Sequence, residues 1–490
     1  NEPSGYAKSL ISFTGVSTAS LKRPRANPAI SAHRQPLALS RLLKTPRKKT
    51  TDAREEVYRQ IKEQNVKFIR MWFTDILGFL KSFSVRVEEL DRAFEEGLGF
   101  DGSSVEGFVR IDESDMIARP DPSTYSIIPW RPMDHATAKM FCDIHWPDGR
   151  PFEGDPRFVL KQNLRRAAEK GFTCNVGPEL EYFYFKDKYA TEPIDEGGYF
   201  DMTPLDVASD LRRETVLTLE AMGIGVEYSH HEVAPSQHEI DMRYTDALTM
   251  ADSVMTYRLV VKEIALAHGV HASFMPKPVF GINGSGMHVH QSLFKDSHNA
   301  FFDPKGLYSL SPLALSYIGG ILKHAPEFTA VTNQWINSYK RLVPGYEAPV
   351  YLSWARRNRA DLIRVPGYKP GKEVATRIEL RSPDPACNPY LAFSVMLAAG
   401  LEGIDKKYPC PEPIEENVYE MSADERKRRG IDTLPASLYE AILLTEKSDL
   451  VRRALGDHVF NAFIANKKIE WDEYRTQVTE FEIKRYLPII

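Results

Sequence analysis

Short segments in which apolar and polar residues alternate predict β-strands, because successive side chains of a strand point to opposite faces. In the segment 287–293 this spacing would place His288, His290 and Ser292 on one face and apolar residues on the other. Three glycines within residues 281–286 precede the segment and permit positive φ angles or close approach of a ligand. The stretch therefore predicts one wall of a binding site, and a tight hairpin with half-buried histidines is the alternative.

The rest of the chain mixes strand-like and helix-like segments. Residues 66–73, 80–87 and 173–185 predict strands, whereas the glycine-rich stretch 99–108 predicts a loop. Helices are predicted, several of them from apolar spacing near 3.6, at 52–65, 88–96, 156–170, 205–222, 245–268, 313–330 and 389–403. This mixture, without an internal repeat, predicts an α+β fold.

A chain of 490 residues is long enough for several structural units. Residues 1–51 predict a disordered basic extension, because they are rich in Ser, Pro, Ala and Arg and lack periodicity. Their composition is similar to that of an organellar transit peptide, although an upstream extension or a truncated reading frame explains an initial Asn more simply. Residues 52–150 predict a small α+β domain, and residues 151–490 a larger one.

Charge and cysteine content narrow the classes of function. Residues 1–50 carry ten Lys or Arg and one acid, so residues 51–490 have a net charge of −13, against −4 for the whole chain. An acidic body argues against nucleic-acid binding as the main task. No apolar run approaches the length of a membrane span. Four separated cysteines without a C-x-x-C pair argue against a zinc cluster and indicate a reducing, cytoplasmic compartment.

Three predicted strands carry titratable residues two positions apart, a spacing that puts them on one face, and a fourth segment adds two glutamates. These residues are Glu179 with Glu181, His288 with His290, Arg377 with Glu379 and Arg381, and, in the fourth segment, Glu232 with Glu239. Charged groups on a buried sheet face are costly unless they are paired or bind metal. If the strands adjoin, their carboxylates and imidazoles form a set that suits Mg²⁺ or Mn²⁺ better than zinc. Solvent-exposed edge strands with ordinary ion pairs are the alternative.

Arginines are concentrated in the C-terminal half, within forty-one residues of an acidic domain. They are Arg341, Arg356, Arg357, Arg359, Arg364, Arg377 and Arg381. Guanidinium groups at this density suit phosphate or carboxylate recognition, and metal ions with arginines are what phosphoryl transfer requires. Because no P-loop or kinase signature occurs, the nucleotide site would be of another type. A solvated arginine face is the alternative.

The loop at residues 337–349 has proline and glycine residues around one carboxylate, Glu347. A mobile lid with a single functional acid would have this composition, because such a lid needs backbone turns and one reactive group. A plain surface loop would have it as well, and the local sequence does not separate the two.

Six motifs, taken together and in this order, resemble those of type I glutamine synthetase of the alpha-type subgroup. They are Asp101-Gly-Ser-Ser, Gly177-Pro-Glu-Leu-Glu181, His230-His-Glu-Val-Ala-Pro, Lys277-Pro-Val-Phe-Gly-Ile-Asn-Gly-Ser-Gly-Met-His288, Asn337-Ser-Tyr-Lys-Arg-Leu-Val-Pro-Gly-Tyr-Glu347 and Arg377-Ile-Glu-Leu-Arg381. The resemblance covers roughly residues 52–490. It implies a small N-terminal β-grasp-like domain and a large C-terminal catalytic domain, in which helices back a curved antiparallel sheet.

The resemblance also implies an activity, that of a glutamate–ammonia ligase. The γ-carboxylate of L-glutamate would attack the γ-phosphate of ATP to give γ-glutamyl phosphate, which ammonia would convert to glutamine. A carboxylate is a poor electrophile, and phosphorylation gives it a leaving group. Two Mg²⁺ or Mn²⁺ ions per active site are implied. The family assembles as a homo-oligomeric dodecamer of two hexameric rings with active sites between subunits, and the apolar segment 480–490 resembles the tail that links the rings.

The resemblance implies metal-binding and nucleotide-binding roles for the residues that match the family's motif positions. One metal would be held by Glu181, Glu232 and Glu239. The other would be held by Glu179, His288 and Glu379. The transferring phosphoryl group of ATP would be neutralised by Arg359 and Arg364. The remaining nucleotide contacts would be made by Glu227, His290, Ser292 and Arg377. The resemblance thus implies that both clusters of titratable residues belong to one active site.

Substrate contacts follow in the same way. Glutamate would be held by Asn283, Gly284, Arg341 and Arg381. Ammonium would bind near Asp101, Ser104, Tyr199 and Glu232. Asp101 would come from the neighbouring subunit and take the ammonium proton, while Glu347 would close the site against water.

Regulation and substrate choice have their own signals. The short interval between Glu181 and Tyr199 lacks the insertion of the adenylylated subgroup, so we expect no adenylylation, although Tyr419 lies near the position of the modified tyrosine. Arg110 matches an arginine that alpha-type enzymes use in feedback inhibition by glutamine.

Two alternatives to the ammonia ligase are a γ-glutamyl ligase for a polyamine or another amine and a non-catalytic relative. Retention of the ammonium, metal and arginine positions favours the ammonia ligase.

Overall fold

A computed structural model describes residues 50–105, 107, 115–346, 348–358, 360–367 and 369–490, with the backbone alone for residues 50–52 and 104. The predicted disordered extension, 1–51, therefore lies outside the described residues except at its end. Arg110, Glu347 and Arg359 lie outside them too, as does the side chain of Ser104. Within the described residues, no helix combines the length and apolar character that a bilayer span requires.

The N-terminal part of the described chain forms a six-stranded sheet. Its strands are β1 (Phe68–Thr74), β2 (Leu80–Arg86), β3 (Leu98–Asp101), β4 (Asp115–Pro120), β5 (Ser126–Ile127) and β6 (Thr137–His145). They lie in the order β2-β1-β6-β4-β3, with β5 beside β6 and only the β1–β6 pair parallel. Helices α1 (Thr50–Glu63) and α2 (Leu90–Glu95) complete this region, which confirms the helices and strands predicted between residues 52 and 96.

The loop predicted at residues 99–108 is in part wrong, because its first residues belong to β3. Strand β3 pairs with β4, and the ring of Phe100 lies 4.8 Å from that of Phe73 and 5.9 Å from that of Phe83. This apolar packing holds Phe100 in a strand although glycines stand on both sides of Phe100-Asp101 in the sequence.

A ten-stranded sheet occupies the C-terminal part. Its strands are β7 (Thr173–Phe185), β8 (Val226–His231), β9 (Gln237–Met242), β10 (Thr245–Asp246), β11 (His271–Ser273), β12 (Met287–Lys295), β13 (His298–Asn299), β14 (Tyr351–Ala355), β15 (Asp361–Arg364) and β16 (Ile378–Leu380). The main order is β14-β15-β16-β12-β7-β9-β8, while β10 and β11 pair with β7 and β13 pairs with β12. All neighbours are antiparallel except β14 and β15.

The C-terminal part also contains a series of helices. They are α3 (Pro156–Glu169), α4 (Ser209–Ala221), α5 (Ala247–Ala267), α6 (Pro312–Thr332), α7 (Ser338–Arg341), α8 (Pro389–Lys406), α9 (Ala423–Arg428), α10 (Leu438–Glu446), α11 (Asp449–Leu455), α12 (Asp457–Arg475) and α13 (Glu480–Tyr486). The apolar residues of α5, α6 and α8 share one buried cluster with the apolar strand residues. The α+β class, with a β-grasp region and a larger curved sheet backed by helices, is confirmed.

Two predicted helices begin later than their apolar spacing indicated. Residues 245 and 246 pair with β7, and the Asp246 carboxylate caps α5 by accepting a hydrogen bond from the Thr249 amide at 3.1 Å. Before α4, the Asp206 carboxylate accepts from the Ala208 amide at 3.1 Å and from Arg212 at 2.9 Å. The Asp246 cap therefore sets the start of α5, whereas α4 follows turns and its N-cap residue, Ala208, makes no side-chain cap.

A buried arginine joins the six-stranded sheet to the helices of the larger region. The Arg157 guanidinium donates to Asp252 at 3.0 Å, to Asp143 at 2.6 Å and to Asp121 at 2.8 Å. Tyr390 donates to the same Asp252 carboxylate at 2.7 Å. Because Asp121 and Asp143 belong to the first sheet region and Asp252 lies in α5, one cation neutralises carboxylates from both.

Replacing Arg157 by leucine is expected to lower the free energy of unfolding by about 3–5 kcal/mol, because the buried Asp252 and the partly buried Asp121 and Asp143 would lose their shared cation. Urea unfolding followed by circular dichroism, at one protein concentration, measures the change. Leucine at the exposed Arg165 of the same helix is the matched control, and its unfolding midpoint should not move. Equal unfolding midpoints for the two variants would show that the charge of Arg157 does not contribute to stability.

Candidate active site

One face of the ten-stranded sheet brings the predicted titratable residues together. Glu179 of β7 lies opposite His288 of β12 on one side and Asp241 of β9 on the other. Glu181 lies opposite Glu239. The other face of these strands is buried and mostly apolar, with Gln291 and His238 as polar members. The strands therefore adjoin, which was the condition for a convergent site.

His290 and Glu379 extend this face towards β15. They are Cα partners between β12 and β16, and Glu379 is in turn the partner of Arg364. The alternation predicted for β12 is confirmed, since His288, His290 and Ser292 share the site face while the intervening residues are buried in the core.

The three glycines before β12 are required by different features of the structure, a positive φ angle at one and close packing at the other two. Only Gly281 has a positive φ, of 84°. A Cβ at Gly284 would lie 2.3 Å from the carbonyl oxygen of Pro276, and one at Gly286 would lie 2.5 Å from the Arg341 guanidinium. Packing by this chain, and not only approach of a ligand, therefore requires the second and third glycines.

A first group of potential metal ligands consists of Glu179, His288 and Glu379, whose ligand atoms lie within 4.8 Å of one another. His288 Nδ1 lies 3.5 Å from Glu179 Oε2 and 3.8 Å from Glu379 Oε1. Burial, together with the nearby charge of Arg381, lowers the pKa of His288 to about 4. The ring is therefore neutral at pH 7, which is the state that binds a cation.

His290 orients one carboxylate of this first group. Arg377 Nε donates to His290 Nδ1 at 3.2 Å, so the ring proton resides on Nε2. His290 Nε2 then donates to Glu179 Oε1 at 2.6 Å. An arginine–histidine–carboxylate chain of this kind fixes the orientation of a metal ligand.

Arg364 at the end of β15 and Arg381 directly after β16 both contact Glu379, which is fully buried. Arg381 donates to Glu379 Oε1 at 2.6 Å, and Arg364 donates to Glu379 Oε2. Burial opposes ionisation of Glu379, but Arg381 and the two histidines outweigh it, and its pKa lies below the usual range. Arg364 is partly exposed, so its guanidinium reaches the open side of the face.

A second group consists of His230, Glu232 and Glu239. His230 Nδ1 lies 3.5 Å from Glu232 Oε1, and His230 Nε2 lies 3.5 Å from Glu239 Oε2. Glu181, predicted with these two glutamates, lies beside the group, and its Oε2 accepts from the amide of Gly286 at 2.9 Å. The structure thus adds His230, which stands in the quoted His-His-Glu motif but had no assigned role.

Crowding of carboxylates changes their ionisation. Burial and the charge of Glu232 raise the pKa of Glu181 to about 8, although Arg341 opposes the rise. Burial, Asp241 and Glu181 raise the pKa of Glu239 well above its usual value. Repulsion between buried carboxylates is relieved by a bound cation. Oxygen-rich groups with one imidazole each therefore fit Mg²⁺ or Mn²⁺.

Asp241 is a further acid on this face that the sequence interpretation missed. Burial and Glu179 raise its pKa to about 7, and its Oδ1 is buried and lacks a hydrogen-bond partner among the described residues. The spacing of two from Glu239 carried the signal. The segment Glu239-Ile-Asp-Met242 also alternates polar and apolar residues, although every residue of β9 is buried in the fold.

Cation binding to these carboxylates is expected to release protons at pH 7. Because the raised pKa leaves Glu181 protonated there, each Mn²⁺ bound at the second group should displace at least one proton. Affinity should rise at least about tenfold per pH unit below pH 8. Calorimetry in Pipes and in Tris, whose ionisation enthalpies differ, measures the release, and equal binding enthalpies in the two buffers would contradict it.

The predicted glutamate contacts line one narrow cavity beside the two groups. Its walls include Glu181, Glu232, Gln237, Asn283, Gly284, His288, Arg341, Tyr346, Ala348 and Arg381. Arg341 is buried and donates to the carbonyl oxygens of Ser382 at 2.7 Å and of Arg381 at 3.1 Å. All four predicted glutamate contacts are therefore neighbours of the second group.

The other predicted site residues lie at different distances from this centre. The ring of Tyr199 contacts that of His230, with centroids 5.5 Å apart. Ser292 is buried on β12, and Glu227 is exposed on the edge strand β8, 3.8 Å from Arg243. Asp101 ends β3 in the six-stranded sheet, where its exposed carboxylate accepts from the Ser103 amide at 2.9 Å.

A third cluster of potential ligands, Asp195, His231 and His238, lies fully buried behind the second group. Arg212 donates to His238 Nδ1 at 2.9 Å, so His238 Nε2 carries the proton and offers no lone pair to a metal. His231 contacts Asp195 at 3.0 Å. With His238 unable to act as a ligand, only the Asp195–His231 pair remains, and two groups do not complete a metal site among the described residues.

Comparison with known proteins agrees with this geometry. Residues 65–147 match the family model "Glutamine synthetase, beta-Grasp domain", and residues 153–486 match "Glutamine synthetase, catalytic domain". A protein of Methanosarcina mazei named glutamine synthetase is 55% identical to this chain, over 90% of this chain and 99% of the relative. A protein of the same name from Mycolicibacterium smegmatis is 53% identical, over 89% of this chain and 99% of the relative.

A solved structure is similar as well. The structure titled "GmaS/ADP complex-Conformation 1" superposes with a TM-score of 0.80 at 32% identity, covering 88% of this chain and 99% of that one. The fold, the two ligand groups on one sheet face and the relatives lead to the same assignment. The chain belongs to the glutamine synthetase family.

Proposed function

We propose that this protein is a glutamate–ammonia ligase, which joins ammonia to the γ-carboxylate of L-glutamate through γ-glutamyl phosphate and yields glutamine, ADP and phosphate. The observation that carries the proposal is the pair of adjacent carboxylate–imidazole groups beside a cavity lined by Arg341 and Arg381. Cations and guanidinium groups at one place neutralise a transferring phosphoryl group and hold an amino-acid carboxylate.

Two divalent cations, Mg²⁺ or Mn²⁺, complete this site in the proposal. One would be held by Glu179, His288 and Glu379. The other would be held by Glu181, Glu232 and Glu239, with His230 close enough to join them. When bound, the cations neutralise the phosphate oxygens of ATP and the carboxylate of glutamate. His290 keeps Glu179 in position for that task through its hydrogen bond.

Substrate positions follow from the chemistry of the same face. Glutamate would occupy the cavity formed by Asn283, Gly284, Arg341 and Arg381, close to the second group. ATP would extend from the first group past Glu227, His290, Ser292 and Arg377. Arg364 reaches the open side of that path, and Arg359 is proposed to join it there. In these proposed positions the γ-carboxylate would lie next to the phosphoryl group that it attacks.

Ammonium would bind near Glu232 and Tyr199, with Asp101 and Ser104 contributed by a neighbouring subunit. Asp101 is the proposed base, because its carboxylate is exposed at the end of β3 and held by the Ser103 amide. Glu347 is proposed to shield the acyl phosphate from water. A shared site of this kind requires assembly, so we propose a homo-oligomer, a dodecamer of two hexameric rings.

Organisation and regulation complete the proposal. We place the domain boundary near residue 150, between an N-terminal domain at 52–150 and a catalytic domain at 151–490, with 1–51 as an extension. We propose that the protein acts in the cytoplasm and that Arg110 takes part in feedback inhibition by glutamine. Neither nucleic acid nor membrane is a proposed partner.

The proposal is tested by measuring phosphate released from ATP by the purified protein. Release should require Mg²⁺ or Mn²⁺, glutamate and ammonium together, and omission of any one should abolish it. Putrescine in place of ammonium is the decisive comparison. Comparable release with putrescine and none with ammonium would assign the protein to the amine-specific ligases instead.

A further inference from the structure

The chain between β7 and α4 crosses the end of the β8–β9 hairpin as a segment that we call the strap, residues 195–206. It carries Tyr199, which the proposed function places beside ammonium. Both ends of the strap are held by buried ion pairs. At one end Asp195 contacts His231, with side chains 1% and 0% exposed. At the other end Asp206 pairs with Arg212.

His231 makes three connections between the strap and the metal-binding face. Its Nε2 lies 3.0 Å from Asp195 Oδ1, and its Nδ1 lies 2.7 Å from the carbonyl oxygen of Glu232. Because a carbonyl only accepts, Nδ1 is the donor there. Its own carbonyl accepts from the Phe200 amide at 3.1 Å. One buried residue thus contacts the strap twice and the backbone of Glu232 once.

Ser236, in the turn of the hairpin, fixes the same end of the strap. Its amide donates to Asp195 Oδ1 at 2.7 Å, while its hydroxyl accepts from the amides of Ile194 at 2.7 Å and Asp195 at 3.0 Å. A Cβ at Gly197 would lie 2.7 Å from His231 Nε2. The strap therefore approaches His231 too closely for any side chain at that position.

The aromatic residues of the strap lie on the second ligand group. The ring centroids of Tyr199 and Phe200 lie 5.5 Å and 4.7 Å from that of His230. His230 in turn lies 3.5 Å from Glu232 and 3.5 Å from Glu239. Displacement of the strap would therefore move Tyr199 relative to the carboxylates it faces.

We propose that the buried Asp195–His231 pair positions the ammonium pocket. The pair would hold the strap in place, and thereby fix the position of Tyr199 relative to Glu232. This inference rests on the proposed function. The pair is not itself expected to touch substrate, since both side chains are buried behind the face. It acts through the strap on one side and through the Glu232 backbone on the other.

Steady-state kinetics of Asp195→Asn test this role. The variant keeps the size of the side chain but removes the charge that pairs with His231. The KM for ammonium should rise about tenfold, whereas the KM values for glutamate and ATP should change less than about twofold. The number of Mn²⁺ ions bound, counted by electron paramagnetic resonance, should stay the same, because no ligand is altered.

Glu327→Gln is the matched control, because Glu327 contacts His324 at 3.0 Å on α6, away from the sheet face. Its KM for ammonium should equal that of the wild type. If Asp195→Asn does not fold, Ser236→Ala removes the hydroxyl that holds the strap amides and should raise the same KM.

The outcomes separate this inference from the function on which it rests. An unchanged KM for ammonium, or an equal rise in all three KM values, would overturn the positioning role while wild-type activity upholds the ligase. Absence of ammonium-dependent turnover in the wild type would overturn the proposed function itself.

Discussion

Alanine at Asp101 is expected to reduce ammonium-dependent turnover by about 10²–10⁴-fold, the range of a lost general base. Ammonium is not nucleophilic until it loses a proton, and the exposed carboxylate at the end of β3 is the proposed acceptor. Glutamate-dependent binding of ATP should persist, because Asp101 lies in the six-stranded sheet and outside both ligand groups. Coupled measurement of ADP formation and a separate ATP-binding titration distinguish the two effects.

Asp115 supplies the matched control for Asp101. It is the Cα partner of Asp101 in β4 and is also exposed, so Asp115→Ala removes a neighbouring carboxylate from the same sheet edge. Its activity should equal that of the wild type. Wild-type activity in Asp101→Ala would remove Asp101 from the mechanism, and loss of activity in both variants would indicate damage to the sheet edge.

Glutamine at Glu379 is expected to lower turnover by about 10²–10³-fold, because it removes one ligand of the first group and the charge that fixes two arginines. Glu379 is fully buried, and both Arg381 and Arg364 donate to it. Without its charge, the two guanidinium groups repel each other. Arg364 then leaves its proposed position beside the phosphoryl group, and Arg381 leaves its proposed position beside glutamate. Titration with Mn²⁺ should also show one fewer bound ion per subunit.

Glu402 provides a control of the same composition. On α8 it accepts from Lys406 at 2.7 Å and from Arg453 at 2.5 Å, and His324 lies 3.5 Å away. Glu402 thus has the same kinds of neighbours as Glu379, namely two basic side chains and a histidine, but it lies away from the sheet face. Glu402→Gln should keep two bound Mn²⁺ ions and full turnover, and a loss equal to that of Glu379→Gln would indicate a purely structural role.

The two variants together test whether the active site is shared between subunits. Asp101→Ala and Glu379→Gln subunits, each inactive alone, should regain activity when refolded together if the neighbouring subunit supplies Asp101. Mixed oligomers contain sites that combine an intact Asp101 with an intact Glu379. No activity above that of either variant would contradict a site built from two subunits.

Much of the site face could be predicted from the spacing of residues along single strands. A period of two placed His288 and His290 on one face of β12, and the structure agrees. The spacing along one strand does not predict which strands are neighbours, because β12 pairs with β7, which lies more than one hundred residues earlier in the chain. Such pairing depends on distant contacts, and only the ordered family motifs indicated it.

Other features escaped sequence reasoning for physical reasons. Asp241 lies two residues after Glu239, but its burial opposite Glu179 depends on the pairing of β9 with β7. Gly284 and Gly286 were interpreted through backbone freedom, whereas close packing against Pro276 and Arg341 requires them. The Asp195–His231 pair joins residues 36 positions apart through a buried contact, and no local pattern predicts such a contact.

The acyl phosphate is tested most directly by following oxygen from glutamate. The enzyme is supplied with ATP, Mg²⁺, ammonium and glutamate whose two γ-carboxylate oxygens are ¹⁸O, and the phosphate and glutamine are analysed by mass spectrometry. Transfer through γ-glutamyl phosphate predicts one ¹⁸O in each phosphate released and one retained in each glutamine amide. Unlabelled phosphate accompanied by labelled glutamine would contradict it.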